Sequence, residues 1–258
     1  MKHSFLDKYS DGDSLIHRLD PRAKLLATLA FVAAVVLTPA ASWLAFGLYF
    51  AVIAVMLLLS RVPPAYIIRR SLVILPFVLL VAIFIPFFKE GGVATTVNLW
   101  GWHISLTRNG LELLGSILAK SWLSILSLLA LTSTTGFTEL LKGMEKLRVP
   151  GVMVMLLSFM YRYLFLLTDE VMRMKQARDS RSFGGKRLWQ VKTAGNMIGT
   201  LFIRSYERGE RVYASMVARG FDGHSRTLEN LHFRCKDAVF ITALSLALVA
   251  ISLSNILY

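Results

Sequence analysis

Five stretches of this chain, Leu25 to Leu37, Trp43 to Leu59, Leu72 to Phe88, Leu111 to Leu131 and Ala238 to Leu257, are apolar over lengths that approach or reach a bilayer. A crossing helix needs about 20 such residues, fewer when flanking cations reach back to the headgroups. The fold class that follows is an all-α integral membrane protein with about five transmembrane helices and, between the fourth and fifth, cytoplasmic amphipathic helices. Composition agrees, since 17% of residues are charged and 55% hydrophobic, where a soluble domain has about a quarter charged.

Charge is the second constraint. Of 29 Lys and Arg residues, 18 lie in one block, Ser133 to Asp237. A net charge of +13 on a membrane chain suits loops held at anionic lipid on the cytoplasmic side. No module that reads nucleic acid is present, so nucleic acid is not an expected partner.

Orientation follows from counting cations. With the N-terminus inside, the inner segments hold Lys2, Lys8, Arg18, Arg22, Lys24, Arg61, Arg69, Arg70 and the central block, and the outer ones only Lys89 and Arg108. A sixth apolar run, Val152 to Leu167, contains Arg162 and is barely long enough to cross. If it did, Arg173 to Lys236 would lie outside and the bias would collapse. The expectation is therefore a multi-pass protein of a bacterial inner or plasma membrane, N-terminus cytoplasmic and C-terminus outside. Residues 1–132 would hold the first four spans, 133–237 the cytoplasmic helices and 238–258 the last span.

Met1 to Lys24 lacks the basic-then-apolar order of a signal peptide, so no cleavage is expected. Asp20 is placed to cap a helix starting at Pro21, the position where a missing N–H costs nothing. Thr95 to Leu106 reads as a short interfacial hairpin turning at Gly101, an aromatic anchor rather than a site of chemistry. One cysteine, Cys235, excludes an internal disulfide and a thiolate metal cluster. His3, His17, His103, His224 and His232 show no tight ligand spacing, so no metal site is assigned. There is no GxxxxGK[ST] loop, and HExxH, GxSxG and paired intramembrane carboxylates are missing. The Glu112 and Lys120 pair near the fourth span carries no assignment.

Within the basic block three helices are predicted: Thr138 to Leu147 ending before Pro150, Val152 to Phe183 ending at Gly184-Gly185, and Arg187 to Arg219 ending at Gly220. In the third, Leu188, Val191, Ile198, Leu201, Phe202, Val212 and Met216 recur at helical steps. Gly195 and Gly199, with Ser205 and Gly209, present small residues at the spacing that lets helices cross closely, here against the second helix; chance is the alternative in a glycine-rich chain. The second helix finishes in Ala177-Arg178-Asp179-Ser180-Arg181-Ser182 and the third in Ala218-Arg219-Gly220. Arginine in a last turn complements the helix dipole, a purely structural reason to find it. The same guanidinium forks could instead insert into a partner.

These residues carry a resemblance. Leu19-Asp20-Pro21-Arg22-Ala23-Lys24, Leu147-Arg148-Val149-Pro150, Tyr161-Arg162-Tyr163-Leu164-Phe165 and the two arginine-bearing ends, in that order, resemble the transmembrane T component of an energy-coupling factor transporter, most closely the CbiQ type of cobalt and nickel import. The resemblance covers nearly the whole chain. It implies a non-catalytic scaffold whose two Ala-Arg-(Gly/Ser) tips dock in grooves of a pair of ABC-type, CbiO-like ATPases. Ala218-Arg219-Gly220 matches fully. In the first tip Ala177-Arg178-Asp179 departs at its third place and Ser180-Arg181-Ser182 at its first, so either Arg178 or Arg181 can be the docking arginine. The resemblance further implies a substrate-binding, CbiM-like S component resting on the apolar Val152 to Leu167 run, whose Met153, Met155 and Met160 suit a repacking surface. A small CbiN-like subunit belongs to the same expectation. ATP and magnesium would sit in the ATPases and no cofactor in this chain.

Three other readings stand beside it: a T component serving vitamin uptake, an integral-membrane enzyme acting on phosphate-containing substrates, and a free-standing carrier. The enzyme would need an ordered multi-aspartate metal site, which Asp11, Asp13 and Asp20 do not make. The carrier would need inverted repeats and broken helices around a midplane site.

Overall fold

A computed structural model describes residues 12–82, 84, 93–99, 102–181, 187–223 and 233–257. The expected turns at Gly101 and Gly184-Gly185, the ends at Phe88 and Phe183, and Lys2, Lys8, Asp11 and Lys89 lie outside them.

Among the described residues the chain forms α1 (Pro21–Leu37), α2 (Trp43–Ser60), α3 (Pro64–Ala82), strands β1 (Val93–Leu99) and β2 (Trp102–Thr107), α4 (Arg108–Thr134), α5 (Phe137–Lys146), α6 (Gly151–Arg181), α7 (Arg187–Val217) and α8 (Cys235–Leu257). β1 and β2 pair antiparallel with Leu99 opposite Trp102, the expected hairpin. The third apolar run is entered earlier than expected, at Pro64 rather than Leu72. Its exposed Arg69 and Arg70 do not end a helix, because backbone bonding runs on through side chains that reach out to the headgroups.

Five helices are long and apolar enough to cross a membrane: Trp43–Ser60, Pro64–Ala82, Asn109–Thr134, Gly151–Arg181 and Cys235–Ser254. The number is the expected one, yet the membership differs. Helix α1, with 17 residues, is about 26 Å long, short of the ~30 Å hydrocarbon core. Helix α6 qualifies in its place, and only 6% of its apolar window is buried. Length and composition select α6; charge bias selects α1.

Two compact units arise, the chain leaving one at Gly143 and returning to it at Leu231. The first, residues 2–143 with 231–258, is a helical bundle. Its core gathers Phe31, Val35, Tyr49, Ile53, Ile67, Leu123, Leu126 and Leu248, all buried. The Phe31 and Tyr49 rings meet edge-on at 5.6 Å, an arrangement that adds about 0.5–1.5 kcal/mol to simple burial.

Cross-contacts give the helix directions. Lys24 Nζ donates to the Thr134 carbonyl and Lys120 Nζ to the Val36 carbonyl, so α1 and α4 run antiparallel. A Cβ on Gly115 would meet the Trp43 ring at 2.7 Å, and Phe50 stacks on Trp122 at 5.6 Å, so α2 runs with α4. Asp237 joins the starts of α1 and α8. The N-terminal ends of α1, α3 and α8 and the C-terminal ends of α2 and α4 therefore share one face. That face carries the exposed Arg18, Arg61, Arg69, Arg70, Arg234 and Lys236. At the opposite ends the described residues place Arg108, and Lys120 reaches the Val36 carbonyl there.

The second unit, residues 144–230, contains α6 and α7. They meet through an ion pair from Arg204 Nη1 to Glu170 Oε1. At the glycines expected to form the crossing no neighbour packs closely: a Cβ on Gly195, Gly199 or Gly209 would meet no atom within 4 Å. Small residues permit close approach without choosing a neighbour. The apolar row of α7 stays open in consequence, with Val191, Ile198 and Phe202 at 71%, 68% and 70% exposure.

Helix α5 ends in a Schellman turn. Val149 N–H bonds Met144 O and Arg148 N–H bonds Glu145 O, with Arg148 at φ 68°. Glycine is the residue suited to that left-handed position. Arg148→Gly is expected to stabilise the protein by about 0.5–1 kcal/mol through relief of the Cβ clash, read as a higher Tm in detergent; a lower Tm would show that the Arg148 side chain makes a stabilising contact.

Candidate functional site

The second arginine-bearing tip is a closed helix end. Helix α7 closes with Phe221 N–H on Met216 O at 3.1 Å and Gly220 N–H on Val217 O at 2.9 Å. Gly220 takes φ +81°, the left-handed position that glycine enters without a Cβ clash. Arg219 is thereby the cap residue itself, its side chain exposed, and among the described residues nothing pairs with it. Ala218, also exposed, leaves the guanidinium room on one side.

The first tip differs. Helix α6 runs to Arg181, so Ala177, Arg178, Ser180 and Arg181 form its last turn, and Ser182 lies outside the described residues. Arg178 is already engaged: its Nε and Nη2 both donate to Asp179 Oδ1, at 2.9 and 2.7 Å. The aspartate that breaks the sequence pattern occupies the arginine beside it. Arg181 is exposed, and no described residue pairs with it. From the Glu170–Arg204 clamp, the tips lie about 17 Å along α6 and about 22 Å along α7 at 1.5 Å per residue.

A second constellation was not foreseen. Asp20, Lys24 and Asp237 are 7%, 4% and 2% exposed, all buried at the basic end of the bundle. Asp20 caps α1 as expected, its Oδ1 accepting from Arg22 N–H at 2.9 Å. Its own N–H donates to Asp237 Oδ1 at 2.8 Å. The other Asp237 oxygen accepts from Arg234 N–H at 2.8 Å, so one carboxylate ties two helix starts. Lys24 Nζ donates to the carbonyls of His17 at 3.0 Å and Thr134 at 2.9 Å; burial disfavours its charge, and Glu139, Asp237 and Asp20 partly offset that. Gly143 packs so closely that a Cβ there would lie 3.3 Å from Pro21 Cβ and 3.4 Å from Arg22 N. Signals for this cluster existed, namely a lone aspartate opening the last apolar run and a lysine inside the first helical turns.

No three His, Cys, Asp or Glu side chains among the described residues are arranged to hold a metal ion. His3, His224 and His232 lie outside those residues. Cys235 is exposed as a free thiol.

The family whose model matches is CbiQ, cobalt transport protein, over residues 12–229. The energy-coupling factor transporter transmembrane protein EcfT of Listeria innocua is 31% identical over 259 residues, covering 95% of this chain and 96% of that protein. The protein of the same name from Lactococcus lactis is 28% identical over 257 residues, 95% of each chain. A Methanocorpusculum labreanum protein named as a fused cobalt transport protein, CbiMQ, is 33% identical over 138 residues, 52% of this chain and 23% of that one. These relatives are named as transport proteins, and the five apolar helices are those of a multi-pass membrane protein. The chain therefore belongs to the CbiQ cobalt transport protein family, as a transmembrane T component of the energy-coupling factor type.

Proposed function

We propose that this chain is the non-catalytic coupling subunit of an importer, carrying the ATP-driven motion of two cytoplasmic ATPases to a separate substrate-binding membrane subunit. The observation that carries the reading is Arg219, exposed on the cap of α7 by a turn that only the following glycine makes easy. A guanidinium presented in that way suits the carboxylates and carbonyls of a groove. At the first tip, the pairing of Arg178 with Asp179 favours Arg181 as the inserting arginine. The Glu170–Arg204 clamp suits α6 and α7 to act as paired levers.

The basic face of the bundle supports a cytoplasmic N-terminus. With that orientation α6 lies in the cytoplasm or at the interface, since a crossing would carry the cations of α7 to the far side. Its outward Val152, Met153, Leu156 and Met160 then suit the substrate-binding subunit. Cobalt or nickel ion is the substrate we favour, drawn from the family's description and from the name of the fused relative. A CbiM-like protein is the corresponding partner, and a small CbiN-like subunit is consistent with it. ATP and magnesium belong to the ATPases. Co-purification of the chain with ATPase subunits, and its loss on reversing the tip charges, tests the proposal.

A further inference from the structure

We infer, building on the coupling role just proposed, that the Asp20-Pro21-Arg22 turn is the anchorage at which the bundle grips both connections to the helical unit, with Asp237 and Gly143 as positioning residues for transport. The chain leaves the bundle after Gly143 and re-enters it at Leu231. Both passages are held by the first turns of α1. On the way out, Lys24 holds the Thr134 carbonyl at the end of α4, and α5 lies against Pro21 and Arg22 at Gly143. On the way back, Asp237 binds Asp20 N–H with one oxygen and Arg234 N–H with the other. Helix α1 is itself seated in the core through Ala27, Phe31 and Val35.

The chemistry of the grip matters. Buried charge is a costly way to hold helices together, and a well-packed apolar contact would often stabilise as much. What a carboxylate between two N–H groups adds is direction: it fixes the distance and angle of both helix starts, where apolar surfaces can slide. The Gly143 contact leaves no slack either, because a methyl group there already presses on Pro21. A pull on either end of the bundle's chain, at Gly143 or at Arg234, is then shared by the starts of α1 and α8.

The test uses the assembled transporter in proteoliposomes, with Asp237→Asn and Gly143→Leu compared with the unsubstituted chain. Asp237→Asn keeps the side-chain volume but can accept only one of the two N–H groups. We expect ATPase co-purification and ATP turnover within twofold of the unsubstituted complex, and uptake per ATP hydrolysed at least tenfold lower. Gly143→Ala, which asks Pro21 to yield only a few tenths of an ångström, should give a smaller loss of about threefold, so the inference stays testable if a larger change fails to fold. Unchanged uptake per ATP in assembled variants would overturn it. So would uptake and turnover falling in parallel with the amount of folded complex, the signature of a merely structural role. Failure of the coupling role itself is separate, since there the unsubstituted chain would neither retain ATPases nor show ATP-driven uptake.

Discussion

Arg219→Glu combined with Arg181→Glu, or with Arg178→Glu, is expected to strip the ATPase subunits from this chain during purification. On the proposed docking, losing one buried guanidinium contact costs about 2–5 kcal/mol, or roughly 30-fold to several thousand-fold in affinity, and reversal would place a negative charge where a cation is required. Arg181→Glu should weaken assembly more than Arg178→Glu, because Arg178 already spends its fork on Asp179. The measurement is a pull-down of tagged chain followed by ATPase activity in the eluate. Retention of the ATPases by both double variants would remove the docking role of the tips.

Lys24→Met should be the most damaging single change to the bundle. Methionine keeps most of the stem volume, so the loss isolates the charge. The Thr134 and His17 carbonyls lose their donor, and the buried carboxylates of Asp20 and Asp237 lose a neighbouring cation. Leaving two carbonyls without their charged donor costs about 1–3 kcal/mol each, which should appear as a large fall in Tm in detergent or as failure to accumulate in the membrane. A Tm unchanged within error would mean that Lys24 is not held as the structure has it.

Helix content was readable because apolar length is a local property. The runs at Trp43, Leu111 and Ala238 each grew into a helix within a few residues of the expected ends. The cap at Asp20 was equally local, since the whole interaction lies within two residues. What could not be read was pairing at a distance. Asp20 and Asp237 are 217 positions apart, and nothing in either segment names the other. Lys24 reads in the sequence only as one more inner-side cation for the same reason, and the fold buries it. Gly195 and Gly199 differ: their spacing describes a shape and carries no address, and open space surrounds both in this structure. At the first tip the departure from pattern was visible at Asp179, but its effect, an arginine occupied by its neighbour, needed side-chain geometry.

The solitary thiol of Cys235 sits exposed on the same basic face, at the first residue of α8. Nature has thus supplied a sidedness reporter that needs no engineering. A membrane-impermeant maleimide should leave the chain unlabelled in intact cells and modify it in inverted vesicles; the opposite pattern would place the basic face, and every cation on it, at the outer surface.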